Sequence, residues 1–290
     1  MRVSALSLVV AIVAVVSGCS LNRMTADRTA AMLQEASATF NEEGDLDFVR
    51  QALPANIKML EGLHHVSPEN ASLGTSLAQG FCSYAFAFLD DTGVRSDLDR
   101  AKLMYVRGYA YALGALGESL RRSSSGTLDE LTQALSALDK DAVAPLFWAG
   151  YCLGNWVNLS KDNVNALGEF AKAEMMMARV VALDDTFYHG SAHLFYAAFL
   201  GSRPRMLGGD PKKAKEHLDR VVVLTDGKFL LAQLFAAQYV AVPTQDQALF
   251  DSSLETILEA PVDLLPAERF ANQIAKRRAA KLQALRAEFF

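Results

Sequence analysis

Apolar residues recur along most of this chain at spacings of three and four, which is the period of an α-helix. The clearest example follows a Gly-Gly-Asp-Pro turn and alternates small and large residues, as the second helix of a tetratricopeptide-type repeat does. Its inward positions are Ala214, Leu218, Val221 and Leu224. No stretch shows the sustained alternation, rich in β-branched residues, that predicts a strand. The pattern therefore predicts an all-α protein.

The same small and large alternation recurs upstream, in segments that begin at Ala101, Thr127 and Ala173. These segments are predicted to be second helices of repeats. The corresponding first helices are centred on Ala78, Ala149, Phe195 and Phe235. Because a single repeat cannot bury its own apolar face, we expect the helix pairs to stack on one another. We predict an α-solenoid of about four cryptic tetratricopeptide-like helix pairs with flanking capping helices, the last of which begins at Pro266.

The N-terminal segment is predicted to be a targeting signal. Arg2 precedes an apolar run at residues 6–16, which has the length of a signal-peptide core and is too short to predict a membrane span. The tetrapeptide Val-Ser-Gly-Cys that ends at Cys19 resembles the lipobox of bacterial lipoproteins, in which the cysteine is acylated. An ordinary signal peptide with a chance cysteine is the alternative.

From this motif we predict a lipoprotein signal peptide at residues 1–18, a tether at residues 19–26 and a single α-helical repeat domain at residues 27–290. Three acyl chains on Cys19 bury enough methylene groups to hold the protein on a membrane. Ser20 follows the cysteine where an aspartate would retain such a protein at the inner membrane. We therefore expect the periplasmic face of the outer membrane.

The charge distribution argues against nucleic-acid binding. The net charge is −5, and the basic residues form only short runs. These runs are Arg121-Arg122, Lys212-Lys213 and Lys276-Arg277-Arg278. Nucleic-acid binding requires a basic face that displaces counterions, so we exclude this class and expect these runs to lie on solvated helix faces.

Two cysteines remain in the predicted domain, Cys82 and Cys152. Both fall at similar points of predicted first helices, in a compartment that permits disulfides. A disulfide and a pair of buried free thiols are both compatible with this pattern. Since free cysteine is among the most buried residue types, we expect two buried thiols.

No nucleophile elbow, phosphate-binding loop, zinc-protease motif or paired Cys-x-x-Cys occurs in the sequence. We therefore predict that the protein is not an enzyme and has no cofactor. His189 and His193 are four residues apart on one helical face, the spacing at which two imidazoles can chelate a metal. No third ligand is evident, so we interpret the two histidines as polar groups that line a pocket and predict no metal.

The predicted first helices carry more aromatic residues than one packing stripe requires. Because first helices line the concave side of such a solenoid, we expect some of these rings to form a groove or pore for an apolar ligand. Arg203 and Arg205 follow one of these helices and are candidates to bind a carboxylate at the mouth. The candidate residues are Trp148, Tyr151, Trp156, Tyr188, His189, His193, Tyr196, Arg203 and Arg205.

Together with the lipobox, the segment from Arg203 to Leu224 resembles the T component (TatT) of tripartite ATP-independent periplasmic (TRAP) transporters. The similarity continues through several short motifs in the last third of the chain. They are Gly227-Lys228, Leu231-Ala232, Tyr239 to Val242, Gln245-Asp246, Ala271-Asn272 and Arg277-Arg278.

This resemblance implies a lipid-anchored periplasmic protein of tetratricopeptide-like repeats, which forms a homotrimer with a pore through each protomer. It also implies that the protein binds the solute-binding subunit of the transporter and helps to deliver a ligand such as a hydrophobic organic acid. Two alternatives stay open: a tetratricopeptide scaffold lipoprotein of outer-membrane or pilus assembly, and a metal-dependent hydrolase built on His189 and His193.

Overall fold

The computed structural model describes residues 5–290, with side chains described from Leu21 onward except those of Leu167 and Leu207. Over this range every regular element is a helix, so the all-α prediction is confirmed. The helices are α1 Ala5–Ala36, α2 Ala38–Asn41, α3 Leu46–Val66, α4 Ala71–Phe88, α5 Arg95–Ala115, α6 Glu118–Ser124, α7 Leu128–Ser136, α8 Val143–Leu159, α9 Val164–Asp184, α10 Phe187–Gly201, α11 Pro211–Thr225, α12 Leu231–Phe235, α13 Val242–Thr244, α14 Gln247–Glu259, α15 Arg269–Ala284 and α16 Arg286–Phe289. A π-helix, Ala236–Ala241, connects α12 with α13.

Four helix hairpins form the body of the protein. They are α4 with α5, α8 with α9, α10 with α11, and the α12–α13 segment with α14. The predicted small positions Ala101, Ala173 and Ala214 are buried at the contact between the two helices of a pair. The segment that begins at Thr127 was predicted as a second helix, and this is wrong. It forms the nine-residue helix α7, which starts at a capping box between Thr127 and Glu130 and contacts α6 and α9, so it is not the second helix of any of the four hairpins.

The Gly-Gly-Asp-Pro turn has the geometry that its residues predict. Gly208 has a φ of +85°, which only glycine adopts without strain. Asp210 then caps α11 by accepting hydrogen bonds from the backbone N–H groups of Lys212 and Lys213, and Pro211 occupies the first helical position. The turn is thus accounted for by backbone geometry.

Cys82 and Cys152 form a disulfide between α4 and α8, with their Cα atoms 5.8 Å apart. The prediction of two free thiols is therefore wrong. The physical reason lies in Gly108 of α5, which packs directly over the sulfur atoms. A Cβ at this position would lie 2.9 Å from the Cys152 Sγ and would overlap the Cys82 Sγ. The glycine lets three helices approach closely enough for the two sulfurs to meet.

At the N-terminus, residues 21–26 belong to α1, and Ala26 is 5% exposed. The side chain of Cys19 and those of the predicted signal peptide lie outside the described residues. Among the described helices, none is both long and apolar enough to cross a membrane.

The C-terminal helix α15 does not act as a terminal cap. It contacts α12 and α14, and also α2 and α3 at the other end of the helix series. Arg277 and Arg278 donate hydrogen bonds to the carbonyl oxygens of Ala87 and Phe86 at the end of α4. The basic run in α15 was expected to be solvated, but Arg278 is 8% exposed. Because α15 joins the first and last hairpins, it covers the side on which the first helices face one another.

Candidate ligand cavity

A cavity of about 550 Å³ lies between α4, α8, α10, the α12–π segment and α15. This volume is in the range of about 300–1,000 Å³ that is typical of small-molecule sites. Four of these elements are first helices of hairpins, and the fifth is the C-terminal helix that covers them. The arrangement produces a partly enclosed site that remains open to solvent on one side.

Aromatic rings make up much of the wall. Phe147 lies between Tyr151 and Tyr188, with ring centroids 5.8 Å from each. Trp148 is 5.5 Å from Tyr188, and Phe195 packs onto Gly154 so closely that a Cβ there would lie 2.6 Å from its ring. The large apolar surface favours a ligand with an apolar body, since burial of such surface drives binding.

The start of α10 is strongly kinked where it reaches the cavity. Tyr188 and His189 have φ values of 47° and 60°, and Gly190 has 73°. Left-handed geometry is costly for non-glycine residues and is retained where the surroundings impose it. Here His189 Nε2 lies 3.0 Å from Glu268 Oε1, in the turn before α15. The kink directs the Tyr188 ring into the cavity and ties α10 to α15.

A buried ionic group lies at the wall formed by α4 and α15. Arg278 pairs with Asp90 and lies 3.6 Å from Asp91, while the Tyr105 hydroxyl donates a 2.6 Å hydrogen bond to Asp90. Burial by itself lowers the pKa of Arg278, but the two carboxylates outweigh it and raise this pKa. The Arg278 guanidinium also lies 4.0 Å above the Phe86 ring. The positive charge of Arg278 is thus compensated inside the protein.

Two cations lie at another part of the cavity, after the ends of α8 and α10. The Arg203 guanidinium stands 4.3 Å from the Phe170 ring and 3.9 Å from the Phe199 ring, and Lys161 lines the same part of the cavity. Burial lowers the pKa of Lys161, and the charge of Arg203 lowers it further. This part of the cavity is therefore positively charged.

Of the residues predicted from sequence, the structure brings Trp148, Tyr151, Tyr188 and Arg203 together around the cavity. The remaining predicted residues do not line it. They are Trp156, His189, His193, Tyr196 and Arg205. Trp156 packs against the hydrophobic core and Arg205 is exposed.

His189 and His193 do not face each other. His193 Nδ1 lies 2.8 Å from His217 Nδ1 of α11, and the Tyr196 ring stacks on His217 at 4.9 Å. Among the described residues, no group of three His, Cys, Asp or Glu side chains could hold a metal ion. The kink at residues 188–190 separates the two histidines, because it breaks the helical spacing on which the shared face depended.

Sequence reasoning expected the first helix centred on Ala78, which is α4, to border the site, but it did not place the π-helix or α15 there. Phe270, Ile274 and Leu282 lie on one apolar face of α15, and all three line the cavity. Arg278 and Lys161 were not identified. A signal was present for α15, since an amphipathic helix at the end of a chain must bury its apolar face somewhere.

The match to a known family is decisive here. A sequence profile described as TRAP transporter T-component covers residues 42–290, most of the chain. The chain belongs to this family. A T component is a periplasmic accessory component of a TRAP transporter and not an enzyme. An uncharacterized protein of Treponema pallidum (strain Nichols) is similar to this chain, with 27% identity over 311 residues that cover 94% of each protein.

Proposed function

We propose that this T component binds a small organic acid with an apolar body in the cavity and exchanges it with the solute-binding subunit of its transporter. The observation that carries the proposal is the partly enclosed, aromatic cavity, in which two cations that form no salt bridge with the described residues lie at one wall. An apolar body is held by the rings, and an anionic group is attracted by Arg203, whose planar guanidinium suits carboxylates.

The alternative of a peptide-binding scaffold is less well supported. A tetratricopeptide scaffold holds extended peptides on an open concave surface. In this chain α15 crosses that side, and its Phe270, Ile274 and Leu282 occupy the space between the first helices. A small molecule fits such a site better than a peptide.

The proposed cellular location rests on the lipobox-like motif that ends at Cys19. Acylation of Cys19 would hold the protein on the periplasmic face of the outer membrane, close to a soluble solute-binding subunit. The family resemblance supports a homotrimer of single-domain protomers. Recovery of the subunit in a pull-down with the full chain, compared between wild type and Cys19→Ser, tests the partnership and the role of the anchor. Failure to recover any solute-binding protein in either form would count against it.

Ligand binding is tested by filling the cavity. Ala198 lines the cavity, so Ala198→Trp should abolish the heat of binding that an apolar acid produces in calorimetry. Ala284→Trp, at an exposed position of α15, adds the same indole outside the cavity and is the matched control. Equal ligand responses in the two variants would contradict the proposed site.

A further inference from the structure

The two cations at the wall after α8 and α10 have no carboxylate within 4.0 Å among the described side chains. Burial lowers the pKa of Arg203, and Glu174 is the acid close enough to raise it. Glu174 does not line the cavity, whereas Lys161 and Arg203 both do. The aromatic contacts of Arg203 hold its guanidinium in place without neutralising it. This end of the cavity is therefore built to receive an anion.

A different set of polar groups lies farther inside. The hydroxyls of Tyr151 and Tyr188 have no hydrogen-bond acceptor among the described residues, although both side chains line the cavity. Burial raises the pKa of each hydroxyl, so both stay protonated and can donate. A hydroxyl that faces the cavity without a protein acceptor is free to donate to a ligand, and an oxygen atom of a bound ligand would accept this hydrogen bond.

The distance between the two polar regions follows from helix geometry. Tyr151 precedes the last residue of α8 by eight positions, which is about 12 Å along the helix axis. Tyr188 precedes the last residue of α10 by thirteen positions, which is about 20 Å along the axis, so Tyr188 lies farther than Tyr151 from the two cations. An extended chain of about ten carbons spans 12 Å, since C–C bonds of about 1.5 Å follow a zigzag. The surface between these points is aromatic and apolar.

The charges near the Tyr151 hydroxyl determine whether a charged or an uncharged ligand oxygen binds there. Arg278 is already paired with Asp90 and close to Asp91, and Lys281 donates a hydrogen bond to the Asp91 carbonyl oxygen. Two acidic side chains, Asp90 and Asp91, and two basic ones, Arg278 and Lys281, thus lie at the wall formed by α4 and α15, which carries no net charge. A second carboxylate would therefore lose its hydration there without an excess of positive charge to replace it. An uncharged oxygen avoids this cost.

We propose that the cavity selects a monocarboxylic acid that carries an uncharged oxygen, such as a hydroxyl or carbonyl, at the end remote from its carboxylate. Lys161 and Arg203 bind the carboxylate, and the Tyr151 hydroxyl donates to the distal oxygen. This inference rests on the proposed function, because it specifies the ligand of the same cavity.

The test uses the full chain with Cys19→Ser, so that no acyl chain competes, and four ligands of equal length. They are decanol, decanoate, ω-hydroxydecanoate and decanedioate, with affinities measured by calorimetry. Charged hydrogen bonds are worth about 1.5–3 kcal/mol, so decanoate should bind about tenfold to a hundredfold more tightly than decanol. We expect ω-hydroxydecanoate to bind about threefold to tenfold more tightly than decanoate, and decanedioate to bind more weakly than both acids.

Variants assign each preference to its residues. Lys161→Gln should reduce the advantage of decanoate over decanol, and Lys161→Arg should restore it. Arg205→Gln is the matched control, because Arg205 is exposed and outside the cavity. Tyr151→Phe should remove the preference for the hydroxylated acid, while Tyr196→Phe, in a tyrosine outside the cavity, should preserve it.

The outcomes separate this inference from the proposed function. If decanol and decanoate bind equally, or if decanedioate binds best, the selectivity proposed here is wrong although the cavity still binds ligands. If none of the four ligands binds to folded protein, the proposed function fails and the inference fails with it.

Discussion

Removal of the Cys82–Cys152 disulfide is expected to destabilise the folded protein by about 4 kcal/mol. The two cysteines are 70 residues apart, and the cross-link closes a loop that contains α5, α6 and α7. In the chain-entropy treatment a loop of this length lowers the entropy of the unfolded state by about 15 cal/mol/K, which is about 4.4 kcal/mol at 25 °C. This figure is an upper value, because unfolded chains retain structure.

The assay is urea unfolding followed by circular dichroism, with Cys19→Ser as background so that only two cysteines remain of the three. Oxidised protein, reduced protein and the Cys82→Ala/Cys152→Ala variant are compared. The oxidised and reduced forms differ only in the cross-link, whereas the double variant also loses the packing of two buried sulfurs. The free energy of unfolding should fall from the first to the second and again to the third.

Two results would refute this reasoning. Thiol titration of the unfolded, unreduced protein that finds two free thiols would show that the disulfide does not form. Equal urea midpoints for the oxidised and reduced forms would show that the loop closure contributes nothing to stability. Because α4 and α8 both border the cavity, reduction should also weaken ligand binding if the bridge sets the distance between these helices.

Three further predictions concern the helices around the cavity. Burial lowers the pKa of His193, and burial together with the neighbouring His193 lowers that of His217, so the unfolded chain binds protons more readily. The free energy of unfolding should be constant above about pH 6.5 and decrease as the pH falls below it. In urea titrations at several pH values, His217→Gln should reduce this decrease. The same decrease in the variant as in the wild type would contradict the prediction. Arg278→Met should lower the free energy of unfolding by about 3–5 kcal/mol in thermal unfolding, because it leaves Asp90 buried without its cation. Adding Asp90→Asn to this variant should restore part of the lost stability. Full stability of Arg278→Met would show that the pair is not buried in solution. Gly201→Val should lower both the melting temperature and the ligand affinity, since a Cβ at position 201 would overlap a carbonyl oxygen of the π-helix. Wild-type ligand affinity in this variant would show that the π-helix does not shape the cavity.

The helical hairpins are largely local in origin, and this is why they could be predicted. The spacing of Ala214, Leu218 and Val221 determines which face of α11 is buried, and Asp210 with Pro211 determines where the helix begins. These features depend on neighbours within a few residues. The segment at Thr127 shows the limit of such prediction. The spacing of its apolar residues is correct for a helix, but this spacing does not reveal whether the helix is long enough to form a hairpin.

The cavity was predictable only in part. The aromatic positions of α8 and α10 follow from their unusual excess of rings, and Trp148, Tyr151 and Tyr188 indeed line it. His193 does not, because the left-handed residues that precede it turn its side chain toward α11. Nothing in the local sequence requires that kink, which depends on the contact between His189 and Glu268 across 79 positions of the chain.

By itself the sequence determined the helical class, the phase of the main hairpins, the turn before α11 and the family. Only the tertiary structure decided that Cys82 and Cys152 join and that α15 closes the site. It also placed Arg278 inside the protein, although this residue belongs to a run that is expected at the surface. The physical reason is that the first kind of information lies in spacing along one helix, whereas the second depends on distant segments that meet only when the hairpins pack.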